Sequence, residues 1–162
     1  MKNSDLIEKM IAFYHGDAHD VNHFLKVYAY AAAIAEGENL DADAKRILEW
    51  TAIVHDIACP LCREKYGSAP GKKQELESPA LLKQFFEGTP VSEADLERII
   101  WLVAHHHTYT DVTLPEHQML LEADYLVNAD EGNCSVENIR QTRENVFKTQ
   151  TGIRLLNALY LH

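Results

Sequence analysis

An all-α fold is what this sequence predicts, a compact single-domain helical bundle. Three observations carry the prediction. Apolar residues recur at three- and four-residue steps along most of the chain. Alternating strand-like runs with turn dipeptides are absent. A chain of 162 residues, 46% hydrophobic and 25% charged, suits one soluble domain.

The helices follow in order. A charged amphipathic segment after Met1 predicts a helix over 3–14. Phe24, Val27, Tyr28, Ala31, Ile34 and Ala35 form one stripe and predict 20–37. The apolar run from Ile47 to Val54 predicts 42–58. Helices are also expected over 77–87 and 152–161. Ser92 and Asp95 read as a cap box ahead of Leu96, Ile99, Ile100 and Val103, predicting 92–107. Leu120, Ala123 and Val127 predict 115–129, and Val136, Ile139, Val146 and Phe147 predict 135–149. Segment 59–74 reads as irregular, because Pro60, Gly67, Pro70 and Gly71 interrupt it.

Charge and composition restrict the function. A formal net charge of −10 disfavours duplex nucleic acid, which needs clustered Lys and Arg. A small phosphorylated molecule remains compatible, because a local cation outweighs the net charge at short range. The longest apolar stretch, Val27 to Ala35, is too short to span a membrane, and the first residues lack a signal-peptide core. Three cysteines are too few for a disulfide scaffold, so a cytoplasmic location is expected. Oligomeric state is left open, a homodimer included.

Acids and imidazoles lie on surfaces that should be apolar. His55-Asp56 ends the run 47–54. His23 sits four residues before Val27. Asp124 lies four after Leu120 and three before Val127. All four fall on or beside core-facing helix surfaces. A bare carboxylate there costs several kcal/mol. One divalent cation would satisfy all four, and His with Asp suits Fe, Mn, Ni, Zn or Mg. The expectation is one ion per chain, held by His23, His55, Asp56 and Asp124. Such an ion lowers the pKa of bound water and polarises a phosphoryl oxygen.

Other residues are placed around it. His106 continues the stripe of Leu96, Ile99 and Val103 and is expected to face inward; His105 is the next candidate and is expected to contact substrate, and His107 reads as a solvated helix end. Lys26, three after His23, and Lys72, on the expected rim 59–74, are candidates for binding phosphate oxygens; Arg63 and Lys73 rank behind them. Cys59 and Cys62 have the spacing of a redox dithiol without its strand-turn-helix setting, so two reduced thiols are expected.

The order His23, His55-Asp56, Asp124 resembles the HD-domain superfamily of metal-dependent phosphohydrolases. The strings His-Phe-Leu-Lys-Val (23–27), Ala-Ile-Val-His-Asp-Ile (52–57) and Glu-Ala-Asp-Tyr-Leu-Val-Asn (122–128) carry the likeness. Lys-Tyr-Gly-Ser (65–68), His-His-His-Thr-Tyr (105–109) and Thr-Gly-Ile-Arg-Leu-Leu-Asn (151–157) look like those of a small stand-alone subgroup, so the resemblance covers essentially residues 1–162 as one domain. It implies hydrolysis of a small phosphate ester or anhydride by a metal-activated water, with Asp56 ligating the ion and orienting that water. One departure stands out. Many HD enzymes carry a second-metal His where this chain has Gln74-Glu75-Leu76-Glu77-Ser78. Glu75 or Glu77 then serves as a substitute ligand or as a base for the attacking water, and His106 joins Asp56 in the catalytic set. The competing reading is a non-catalytic HD module that binds a nucleotide over a structural metal. A third is a dithiol protein built on Cys59 and Cys62.

Overall fold

Short polar caps and apolar stripes divide the chain into helices. The computed structural model describes residues 1–162 and contains nine helices and no strand: α1 (Asn3–Phe13), α2 (Ala18–Gly37), α3 (Ala42–Val54), α4 (Cys59–Tyr66), α5 (Gly71–Phe86), α6 (Glu93–Val103), α7 (Pro115–Glu131), α8 (Val136–Asn145) and α9 (Gln150–Tyr160). The expected all-α class is what is found. Asp17, Asp41, Ser92, Ser135 and Thr149 cap α2, α3, α6, α8 and α9, each accepting from backbone N–H groups of the first turn. Each cap contributes about 1 kcal/mol by satisfying donors the helix leaves open.

The irregular segment expected at 59–74 is mostly helical. Pro60 stands in the first turn of α4, where its missing N–H costs nothing. Gly67 ends α4 in the left-handed region at φ 77°, and Pro70 is the N-cap of α5. All four breakers therefore fall at helix ends, and only 67–70 links the two helices. Helix α5 accordingly starts at Gly71 and not at 77. Helices α3 and α6 end earlier than expected, at Val54 and Val103, so that the His-bearing segments 55–58 and 104–107 are turns.

Two apolar clusters make the core. Leu6 and Met10 of α1, Phe24, Trp50 and Ile53, Leu82 and Phe85, and Ile99 and Leu102 form the first. Val27, Ala31 and Ala35, Leu48 and Ala52, Leu120 and Ala123, Ile139 and Leu156 form the second. Helices α2 and α3 contribute to both and so form the central pair. The alanines let α2, α3 and α7 approach closely. No helix is long and apolar enough to cross a membrane.

One buried acid fastens the C-terminal end. The Glu122 carboxylate, fully buried on α7, accepts from the Lys148 and Thr149 N–H groups at 2.7 and 2.9 Å, from Gln118 Nε2 at 2.7 Å, and from the Thr149 hydroxyl. A side chain at Gly152 would strike the same carboxylate, so glycine is required where α9 crosses it.

Candidate metal centre

The centre is built where helix ends meet. His23 lies in the second turn of α2, His55 is the C-cap of α3 with Asp56 next to it, Asp124 lies in the middle of α7, and His106 follows α6. The three imidazoles share one arrangement. His55 Nδ1 donates to the Ala52 carbonyl at 2.8 Å, and His106 Nδ1 to the Val103 carbonyl at 2.7 Å. These carbonyls belong to the last turns of their helices, which lack intrahelical donors. His23 Nδ1 donates to Glu131 Oε2 at 2.8 Å. A proton on each Nδ1 leaves each Nε2 lone pair free and aimed inward.

The free atoms converge. His23 Nε2 is 3.3 Å from His55 Nε2, 3.3 Å from Asp56 Oδ2 and 3.3 Å from Asp124 Oδ1. His55 Nε2 lies 3.6 Å from Asp56 Oδ2 and 3.5 Å from Asp124 Oδ1. An ion about 2.1 Å from each donor separates neighbouring donors by about 3.0–3.4 Å, depending on coordination geometry. The spacing therefore fits a divalent cation. Asp124 Oδ1 is buried and makes no hydrogen bond, as expected of an acceptor that needs a cation. Residues His23, His55, Asp56 and Asp124 would hold the ion.

Electrostatics gives the same answer. Burial opposes the charge on Asp56 and Asp124, yet both stay well below the usual carboxylate range. The neighbouring imidazoles do this, His55 and His106 for Asp56 and His23 and His55 for Asp124. Burial also opposes a charge on His23, but Asp124, Asp56 and Glu131 push it up to about 9. In the absence of an ion, a proton on His23 carries the compensating charge.

A second donor group adjoins the first. Asp56, His106 and His107 offer ligand atoms within 4.8 Å of one another. Asp56 directs Oδ2 at His23 and His55, and Oδ1 at His106 Nε2, 3.4 Å away. His106 Nε2 and His107 Nε2 are buried without hydrogen-bond partners. Burial, with His106 beside it, lowers the His107 pKa to about 4, so this ring stays neutral.

A family model described as HD domain matches residues 20–131. The chain belongs to the HD-domain family. Searches of curated proteins and of solved structures found no match. The family match includes all four expected ligands and His106. Outside it, Tyr14, the C-cap of α1, still supports this HD domain's centre: its hydroxyl donates to the Asp56 carbonyl at 2.8 Å.

The remaining expected residues divide into those near this HD centre and those drawn elsewhere. His106 faces inward as expected. His105 does not: its ring stacks on Trp101 with centroids 4.2 Å apart, and its Nδ1 donates to the Trp101 carbonyl. His107, expected at the surface, takes the inward place, because the chain turns after Val103 and no longer follows helical spacing. Glu77 pairs with Lys65 and Tyr66, which hold its carboxyl low, and that engagement argues against its expected role as a base. Glu75 accepts from the Thr108 hydroxyl at 2.9 Å, tying α5 to the segment after α6.

Lys72 is exposed in the first turn of α5, beside the His107 segment: a Cβ at Gly71 would lie 2.6 Å from His107 Cγ. Gln74 is buried, donating to the Ala69 carbonyl at 2.8 Å and leaving its Oε1 without a partner. Lys26 pairs with Glu131 at 2.7 Å, and Arg63 pairs with Asp20. Lys73 lies over the Tyr66 ring. Cys59 and Cys62 are buried thiols, and burial together with the Asp56 charge pushes the Cys59 thiol up, the reverse of what a reactive dithiol needs.

Sequence reasoning missed His107, Tyr14 and Glu131. Only Glu131 left a usable signal. It lies seven residues after Asp124, two helical turns along the same face.

Proposed function

We propose that this protein is a metal-dependent phosphohydrolase acting on a small phosphorylated molecule, a nucleotide or another phosphate ester. The observation that carries the reading is that His23 Nε2 and His55 Nε2 lie 3.3 Å apart, each 3.3–3.6 Å from both Asp56 Oδ2 and Asp124 Oδ1, while each imidazole's Nδ1 is already satisfied. A divalent ion bound there supplies Lewis acidity to a phosphoryl oxygen and a water of lowered pKa. Its identity is drawn from Fe, Mn, Ni, Zn and Mg, at one per chain.

The chain's own residues divide the remaining work. Asp56 ligates with Oδ2 and orients water with Oδ1. His106, within 3.4 Å of that oxygen, handles the proton. Glu75, held by Thr108 beside His107, is the remaining carboxylate for proton transfer. Lys72, exposed on the adjoining turn, meets phosphate oxygens. Lys26, its side chain 46% exposed beside the pair with Glu131, is the second cation assigned to phosphate oxygens. Glu77 and His105 are left out of this assignment because of their engagements with Lys65 and Trp101.

The competing reading, a non-catalytic HD module with a structural metal, has one observation in its favour. Asp56 and Glu131, at 22% and 21%, are the most exposed members of an otherwise closed cluster. A hydrolysis screen over nucleotides, sugar phosphates and phosphodiesters, with protein stripped of metal and then reloaded, separates the two. The phosphohydrolase reading expects turnover only after reloading. Tight nucleotide binding without turnover across the panel supports the module instead.

A further inference from the structure

Helices α2 and α7 meet through four side chains. His23 and Lys26 stand three residues apart on α2; Asp124 and Glu131 stand seven apart on α7. His23 faces Asp124 through Nε2 at 3.3 Å and Glu131 through Nδ1 at 2.8 Å. Glu131 in turn spends its second oxygen on Lys26 Nζ at 2.7 Å. His55 and His106 are held at Nδ1 by neutral backbone carbonyls, so His23 alone among these rings is backed by a carboxylate. Both oxygens of the Glu131 carboxylate are thereby engaged, one by the imidazole and one by the ammonium.

We propose that Glu131 is a positioning residue for the metal centre, one that raises the donor strength of His23 and locks its Nδ1–H tautomer, with Lys26 as the tether that holds Glu131 in place. The proposal rests on the metal-binding reading of His23, His55, Asp56 and Asp124. An acid hydrogen-bonded to a ligating imidazole holds the ring in orientation and makes its free nitrogen more basic; loss of such a partner costs about 10–100-fold in metal affinity. A carbonyl partner orients the ring but adds no full charge. Glu131 is therefore expected to matter more to metal affinity than either carbonyl contact. Lys26 then acts first through Glu131, and its effect on metal retention accompanies any effect on phosphate.

The test is chelator-competition titration of Co²⁺ and Zn²⁺ into metal-free protein, with the Co²⁺ visible spectrum recorded at saturation. Variants are Glu131→Ala, Glu131→Gln and Lys26→Met. Glu131→Ala is expected to bind the same number of ions about 10–100-fold more weakly, with an altered Co²⁺ spectrum. Glu131→Gln keeps an oxygen that accepts from Nδ1, so it is expected to retain the spectrum while losing part of the affinity. Lys26→Met is expected to fall between wild type and Glu131→Ala. Wild-type affinity and spectrum in both Glu131 variants overturn the proposal, even when their melting temperatures drop, because that pattern marks a purely structural acid. Absence of metal uptake by wild type overturns the metal-centre reading and this proposal with it.

Discussion

His23 Nε2 and His55 Nε2 face each other at 3.3 Å, although their rings arrive from separate helices and each has its Nδ1 hydrogen-bonded elsewhere. Two lone pairs at that distance repel unless a proton or a cation stands between them. Asp56 and Asp124 add negative charge to the same point. The core is thus completed by a positive species, and the behaviour of the molecule depends on which one is present.

In metal-free protein that species is the His23 proton, and stability depends on pH accordingly. Burial opposes protonation, but Asp124 and the neighbouring acids raise the His23 pKa from 6.5 to about 9. A raised histidine contributes stability that is complete below pH 6.5 and is lost as pH rises to about 9. The melting temperature of stripped protein is expected to fall across that window. Loaded protein should lack the fall, and metal uptake within the window should release protons. A flat pH profile for stripped protein contradicts the assignment.

His106→Ala and His105→Ala should differ sharply. His106 lies 3.4 Å from Asp56, whereas His105 stacks on Trp101. If the site is catalytic, loss of proton handling at His106 is expected to reduce kcat by about 100-fold or more. His105→Ala should change kcat by less than about threefold. Steady-state kinetics on the best substrate from the phosphate panel reads both, and equal losses would count against the inward placement of His106.

Glu122 gives a prediction about the fold alone. Glu122→Ala strands the Lys148 and Thr149 N–H groups inside the protein and is expected to cost about 3 kcal/mol. For a chain of this size that is roughly a 6–12 °C drop in melting temperature. Metal content should be unchanged. A drop of 1 °C or less would show that solvent reaches these groups easily.

The mouth of the site is expected at the contact between α5 and the segment after α6. Gly71 abuts His107, and Glu75 accepts from Thr108. Hydrogen exchange on metal-loaded protein with added inorganic phosphate or a nucleotide should slow at 71–76 and 105–109. Protection confined to other segments would place the entrance elsewhere.

Much of the centre was legible because its ligands interrupt apolar stripes. His23, His55 and Asp124 each occupy a position that helical spacing assigns to the core, and the structure buries all three. His107 was not legible, since its inward direction depends on the turn that follows Val103, where the 3.6-residue period stops. The 59–74 stretch is helical where its composition predicts irregular chain, for a related reason. Pro60 and Gly67 break a helix in its interior but open and close one at its ends, and the sequence does not announce which place they hold. Glu131 lies two turns from Asp124 on the same face, but an acid at a helix end is ordinarily solvated, so spacing alone does not pair it with His23.

Metal content per chain, measured by elemental analysis after metal loading and gel filtration, tests the central claim most directly. Wild type should retain about one divalent ion. The His55→Ala/Asp56→Ala double variant should retain none and, by losing the linkage between binding and folding, should no longer gain melting temperature from added metal. Full metal content in the folded double variant would contradict a metal centre at His23, His55, Asp56 and Asp124.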